Sequence, residues 1–182
     1  AAQMYKDEHP LAKIAVFDSL STGAEEILAL QKLVKLIKEG KDFETIEEEI
    51  RAYLAKSRLF FSFFSIHNLA QNGRVNKTAA GVLNVLNIGV YGTATSEGKI
   101  AMTGKARGEK KCLKALFDQM KEAGYEGGKA IITHTENEEA AQNLKDLVLS
   151  FYPDANIQIF PTRGLCSYYM ERKGVVISCE TK

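Results

Sequence analysis

Leu59-Phe60-Phe61-Ser62-Phe63-Phe64-Ser65-Ile66-His67-Asn68-Leu69-Ala70-Gln71-Asn72-Gly73-Arg74-Val75 is the stretch on which the fold turns, because the chain before it reads as helices and the chain after it returns to strands. Phe61, Phe63 and Ser65 alternate with Ser62, Phe64 and Ile66, so apolar bulk stands on both faces, as in a strand covered on both sides. The run predicts a strand inside a sheet. It breaks at Asn72-Gly73-Arg74, where glycine permits a turn with positive φ and Arg74 is delivered at the end of the element rather than on its face.

Toward the N-terminus, Lys13 to Asp18 reads as a short strand that enters a polar turn and then a helix, the strand-turn-helix unit of an α/β protein. The helix, from about Ala24 to Lys38, is expected to bury Ile27, Leu30, Val34 and Ile37, and it stops at Gly40. Asp42 caps a second helix whose buried stripe is Ile46, Ile50, Tyr53 and Leu54. A composition shift near Ser57 and Arg58 marks a domain boundary.

Toward the C-terminus, Asn76 opens a helix to about Leu86 that buries Val82, Leu83 and Leu86. Ile88 to Tyr91 and Lys99 to Thr103 read as a hairpin joined through Ser96-Glu97-Gly98. The basic stretch Lys105 to Lys111 leads into a helix with Leu113, Leu116, Phe117 and Met120 on one face, ended by Gly124. Ala130 to His134 is a strand. Thr135 with Glu138 reads as a capping box for a helix burying Ala141, Leu144, Val148 and Phe151. Ile157 to Phe160 and Gly174 to Ser178 are the last strands, with a short helical turn between them.

The 182 residues are 45% hydrophobic and 26% charged, which describes a soluble globular chain. Lys+Arg 24 against Asp+Glu 23 leaves a net charge of +1, so no global field draws the molecule to nucleic acid or to an anionic membrane. Leu59 to Ile66 is far short of the ~20 apolar residues of a spanning helix, and Asp7-Glu8-His9-Pro10 is unlike a signal peptide, so a cytoplasmic location is expected. Cys112, Cys166 and Cys179 lack metal-ligand spacing and read as free thiols, and the glycines form no phosphate-cradling loop. No metal or cofactor is expected.

Three side chains could carry chemistry. Arg74 suits a carboxylate or phosphate because a guanidinium stays charged and binds bidentately; it could equally serve as a turn arginine bonded to carbonyls. His134 stands where a strand ends and a helix begins, an edge at which α/β proteins bind ligands, although a hydrogen-bonded turn histidine fits the same position. Cys166 could pair with His134 as a thiolate-imidazolium couple, the basis of a small Cys/His hydrolase or acyltransferase, or be an inert thiol. His67 is expected to be packed.

Taken together, these motifs resemble the DegV family of fatty-acid-binding proteins. The resembling residues are Val16-Phe17-Asp18-Ser19 with Gly23, Phe61-x-Phe63 leading to Leu69 and Asn72-Gly73-Arg74-Val75, the helix from Asn76 to Leu86, Lys105-Ala106-Arg107-Gly108 with Lys110 and Lys111, and Ile132-x-His134. They cover nearly the whole chain and correspond to the latter two thirds of the family's chain. The resemblance implies an incomplete N-terminal α/β domain over residues 1–57, followed by a mixed-sheet α/β domain over 58–182. It also implies a carrier rather than an enzyme. A long-chain fatty acid would lie between the domains, its tail among Ile66, Leu69, Val82 and Leu86 and its carboxylate near Gly73, Arg74 and Cys166. The acyl carboxylate would be presented to a separate fatty-acid kinase docked on Arg107, Lys110 and Lys111.

Two departures from the family stand out. Asn72 replaces a glycine, and Cys166-Ser167-Tyr168-Tyr169-Met170 replaces a His-x-Gly-Pro-Gly loop, so Cys166 takes the histidine position. The family's carboxylate-holding Thr and Ser would precede Ala1. The resemblance therefore implies half a site, weak or absent binding by these 182 residues, and a strand at Ile14 to Phe17 that pairs with another copy or is poorly ordered.

Overall fold

The computed structural model describes residues 1–76 and 87–182, so the helix read over Asn76 to Leu86 falls, from residue 77 on and with Val82 and Leu86, outside the described residues. The described chain forms α1 (Ala2–Glu8), α2 (Ala24–Lys38), α3 (Phe43–Lys56), β1 (Ser57–Phe63), α4 (His67–Gln71), β2 (Ile88–Ala94), β3 (Ile100–Arg107), α5 (Glu109–Glu122), β4 (Lys129–His134), α6 (Glu138–Phe151), β5 (Asn156–Pro161), α7 (Gly164–Met170) and β6 (Val175–Glu180). The strands make one six-stranded mixed sheet in the order β3-β2-β1-β6-β4-β5, with β4 and β5 parallel and the other pairs antiparallel.

The aromatic run does what its composition predicts. β1 lies inside the sheet, with Phe61 opposite Gly92 on one side and Val176 on the other. Phe60 faces one core, among Leu116, Phe117, Leu144 and Ile177. Leu59, Phe61 and Phe63 face the second, with Leu28, Ile131 and Met170. Alternation along one strand thus serves two cores, and each aromatic ring moved from water contributes about 1.5–3 kcal/mol. The first core is closed by α5, whose Leu113, Leu116, Phe117 and Met120 are all buried, and by α6. The second is covered by α2.

The β2–β3 hairpin turns through Ser96-Glu97-Gly98 as expected. Its register shifts at Tyr91/Gly92, and a Cβ on Gly92 would stand 1.9 Å from the Ala101 carbonyl oxygen, so glycine is required for this close approach. Asp42 caps α3 as read, accepting the Thr45 N–H at 2.8 Å.

Several expectations are corrected. Helix α2 buries Ala24, Glu25, Leu28 and Leu36, while Leu30, Val34 and Ile37 are 58%, 42% and 58% exposed. The helix is apolar along two stripes, and periodicity alone does not say which one the sheet covers. Lys13 to Asp18 pairs with no strand among the described residues. It lies against α3, held by Lys13 to Glu44 at 2.6 Å and by the Arg51 guanidinium 5.2 Å from the Phe17 ring centre. α1 was not expected. Thr135 makes no capping box; its hydroxyl shares a hydrogen bond with Thr162, and His134 Nδ1 instead accepts the Asn137 N–H at 3.2 Å at the start of α6. At the other end of α6, Phe151 is 61% exposed. His67 is exposed at the head of α4 rather than packed. The division at residues 57 and 58 falls where α3 passes directly into β1. No helix among the described residues is long and apolar enough to cross a membrane.

Candidate functional site

A cavity of about 750 Å³ opens on the face of the sheet that α2 partly covers. Its floor is apolar because alternate residues of β1, Leu59, Phe61 and Phe63, point to this face and are joined by Val176 of β6. α7 supplies Leu165, Cys166, Tyr169 and Met170 as one wall. Leu69 of α4, with Gly73 and Arg74 beyond it, supplies another. Asp18 and the loop Leu20 to Gly23, hairpin residues from Thr93 to Ile100 that include Glu97 and Lys99, and Thr133 complete it.

Polar groups enter this apolar frame in distinct ways. Gly73 has φ 66°, the turn expected of it, and its turn delivers the exposed Arg74 to the cavity mouth. Among the described residues no acidic side chain pairs with the Arg74 guanidinium. Thr93 Oγ1 donates to the Leu59 carbonyl at 2.7 Å. Thr133 Oγ1, on β4, is buried with no hydrogen-bond partner among the described residues. Cys166 Sγ lies 3.4 Å from Thr22 Oγ1, and a Cβ on Gly23 would meet that sulfur at 3.5 Å.

Of the residues expected at a ligand site, Leu69, Gly73, Arg74 and Cys166 come together on this cavity. Ile66 does not line it; it is buried in the adjoining core. Val82 and Leu86 lie outside the described residues. His134 is absent from the lining, and its Nδ1 is engaged by the Asn137 amide, while the neighbours of Cys166 are Thr22 and Gly23. Burial pushes the Cys179 thiol up to about 12 and raises that of Cys112, which leaves both as protonated packing groups. Arg107, Lys110 and Lys111 are exposed, at the end of β3 and the start of α5. Among the described residues no group of three or more His, Cys, Asp or Glu could hold a metal ion.

The lining that sequence reading did not find, Leu20 to Gly23, Thr93, Thr133 and Val176, is contributed by segments far apart in the chain. Thr22 and Cys166 are separated by 144 residues. Beside this cavity lies a smaller one of about 280 Å³, bordered by Glu25 and Arg58. Burial raises the Glu25 carboxyl above its ordinary value, against the opposing effects of the Ser21 hydroxyl bonded to it and the Arg58 charge.

The model of the DegV family, described as "Uncharacterised protein, DegV family", matches residues 1–182. A DegV domain-containing protein of Streptococcus gordonii is 43% identical over 180 residues, 99% of this chain and 64% of the relative. Among solved structures, a DegV family protein from Eubacterium eligens loaded with heptadecanoic acid superposes with a TM-score of 0.95 at 48% identity, over 100% of this chain and 66% of the other. The Streptococcus pneumoniae Fatty Acid Kinase (Fak) B3 protein loaded with linoleic acid also gives 0.95, at 39% identity, over 100% of this chain and 64% of the other. The chain thus spans just under two thirds of the length of the relatives it matches.

Proposed function

The chain belongs to the DegV family, and from that membership and the cavity we propose that it takes part in holding a long-chain fatty acid, with the tail on the floor of Leu59, Phe61 and Phe63 and the carboxylate toward Arg74. The observation that carries this reading is an apolar floor joined to a guanidinium that no carboxylate of the described residues occupies. A volume of about 750 Å³ is within the range of small-molecule sites. Each methylene taken from water contributes ~0.8 kcal/mol, so a tail dominates affinity and the head group orients it. In this reading residues 1–57 belong with an N-terminal domain, residues 58–182 form the second domain, and the protein works in the cytoplasm.

The protein in this reading performs no chemistry of its own. In its favour, the Cys166 thiol sits against a threonine hydroxyl rather than a base, and the His134 Nδ1 is already engaged by a backbone amide. The resemblance to the Fak B3 protein supports a kinase as partner, and the exposed Arg107, Lys110 and Lys111 are the docking surface proposed for it. Mass spectrometry of an organic extract, followed by calorimetric titration with C16 to C18 acids, tests the reading. Saturable binding is expected, and no saturable binding overturns the proposal. Thiol alkylation tests the enzyme alternative: a Cys166 that reacts at neutral pH far faster than a free thiol favours the hydrolase.

A further inference from the structure

We propose that Glu171 is a positioning residue for the cavity: its carboxylate latches the α4 wall, which carries Leu69 and leads into Gly73 and Arg74, to the α7 wall, which carries Cys166 and Tyr169. What the cavity holds rests on the reading above; the latch itself is defined by contacts within the chain.

Glu171 directly follows α7. Its Oε1 accepts the Asn68 backbone N–H at 2.8 Å, and its Oε2 accepts the Ser65 hydroxyl at 2.5 Å. Asn68 replies by donating its side-chain amide to the Tyr168 carbonyl at 2.8 Å, and the Asn72 amide donates to the Tyr168 hydroxyl at 3.1 Å. Four hydrogen bonds thus join α4 and its flanking residues Ser65 and Asn72 to the C-terminal end of α7, distant in sequence, and two of them end on one carboxylate. α4 has only five residues and no side-chain cap from its own N-cap residue Ile66; Ser65 Oγ accepts the His67 N–H at 3.4 Å, and Glu171 supplies the acceptor for the next amide, Asn68 N–H.

The anchor end of the latch is held firmly. Lys173 N–H donates to the Thr135 carbonyl and Thr135 N–H to the Gly174 carbonyl, both at 3.0 Å, which ties the turn after α7 to the end of β4. Glu171 itself has φ 52°, a conformation that favours glycine. Were the backbone shape all that mattered, glycine would serve better at this position. A glutamate held there despite the strain is accounted for by what its carboxylate reaches.

The test uses the 182-residue chain with Glu171→Ala, Glu171→Gln and Glu171→Gly, read by amide hydrogen exchange and by the dissociation rate of palmitic acid. In E171A, exchange at Asn68, Ala70 and Asn72 should quicken by about tenfold or more, the equivalent of losing a hydrogen bond to a charged acceptor, while β1, β4 and β6 stay unchanged. Palmitic acid should leave faster by a similar factor. E171Q should recover part of both effects, since its carbonyl still accepts the Asn68 amide, whereas E171G should loosen α4 as E171A does although it relieves the backbone. Exchange in α4 altered by less than about twofold overturns the latch, as does loosening with an unchanged dissociation rate, or equal behaviour of Gln and Gly. If the unmodified chain takes up no palmitic acid, the lipid reading fails and the latch is decided by the exchange data. Should E171A not fold, the Gln and Gly variants make the same comparison.

Discussion

Thr133→Val is expected to stabilise this protein, against the usual outcome of a substitution at a buried site. The threonine is 3% exposed on β4, and its hydroxyl has no hydrogen-bond partner among the described residues. A buried hydroxyl without a partner carries its desolvation cost, about 1–3 kcal/mol, and valine removes it while keeping the shape and the β-branching that strands favour. For a chain of this size that corresponds to a rise of about 2–4 °C in Tm per kcal/mol. Thr93→Val is the internal control. It lines the same cavity, but its hydroxyl donates to the Leu59 carbonyl at 2.7 Å, so the same exchange should cost about 0.5–1.5 kcal/mol. Urea unfolding followed by far-ultraviolet circular dichroism measures both, the chain having no tryptophan. Opposite signs are expected. A destabilised Thr133→Val, or shifts of the same sign in both variants, would refute the reasoning.

Arg74→Ala should raise the Kd for a C16 acid about 10- to 100-fold by removing a charge-assisted partner, with little change in Tm because the side chain is exposed; unchanged affinity by calorimetry would move the head group elsewhere. Glu25→Gln probes a buried carboxyl whose folded value lies above its ordinary 4.5, chiefly through burial. The folded state then binds that proton more tightly than the unfolded one, so this share of stability is full below pH 4.5 and is lost as pH rises through the folded value. Glu25→Gln should therefore be the more stable chain at pH 7 and converge with the parent in acid, as read from unfolding free energies across pH; a variant less stable at pH 7 contradicts this. Reversing Arg107, Lys110 and Lys111 to glutamate should leave Tm and acyl affinity nearly unchanged while slowing association with an acidic partner and flattening its salt dependence in stopped-flow measurements; an unchanged rate removes the docking role.

The features legible in the sequence are those whose causes lie within a few residues of each other. Alternating bulk in Phe60 to Phe63 required a strand with two covered faces, and β1 is that strand. The stripe Leu113, Leu116, Phe117 and Met120 could face only one way, because apart from Cys112 and Ala115 the rest of α5 is charged or polar. Asp42 and Gly73 act through their own backbone neighbourhood, and both behave as read. Of the cavity, the turn that delivers Arg74 was visible because a glycine and an arginine stand together at the end of an apolar run.

Other features depended on what lies across from a residue rather than beside it. α2 carries two apolar stripes, and only the position of the sheet decides that Leu28 and Leu36 are covered while Leu30, Val34 and Ile37 are not. Lys13 to Asp18 has the composition of a strand, but a strand exists only with a hydrogen-bonding neighbour, and the tertiary arrangement lays it against α3 instead. Whether Thr135 or His134 supplies the acceptor at the start of α6 turned on Thr162, which reaches Thr135 from beyond β5. The cavity itself, with Thr22 meeting Cys166 and Glu171 reaching α4, is assembled by segments more than a hundred residues apart. Backbone propensity and hydrophobic period are local quantities and can be read along the chain; contact between distant side chains exists only once the sheet order has set which surfaces meet.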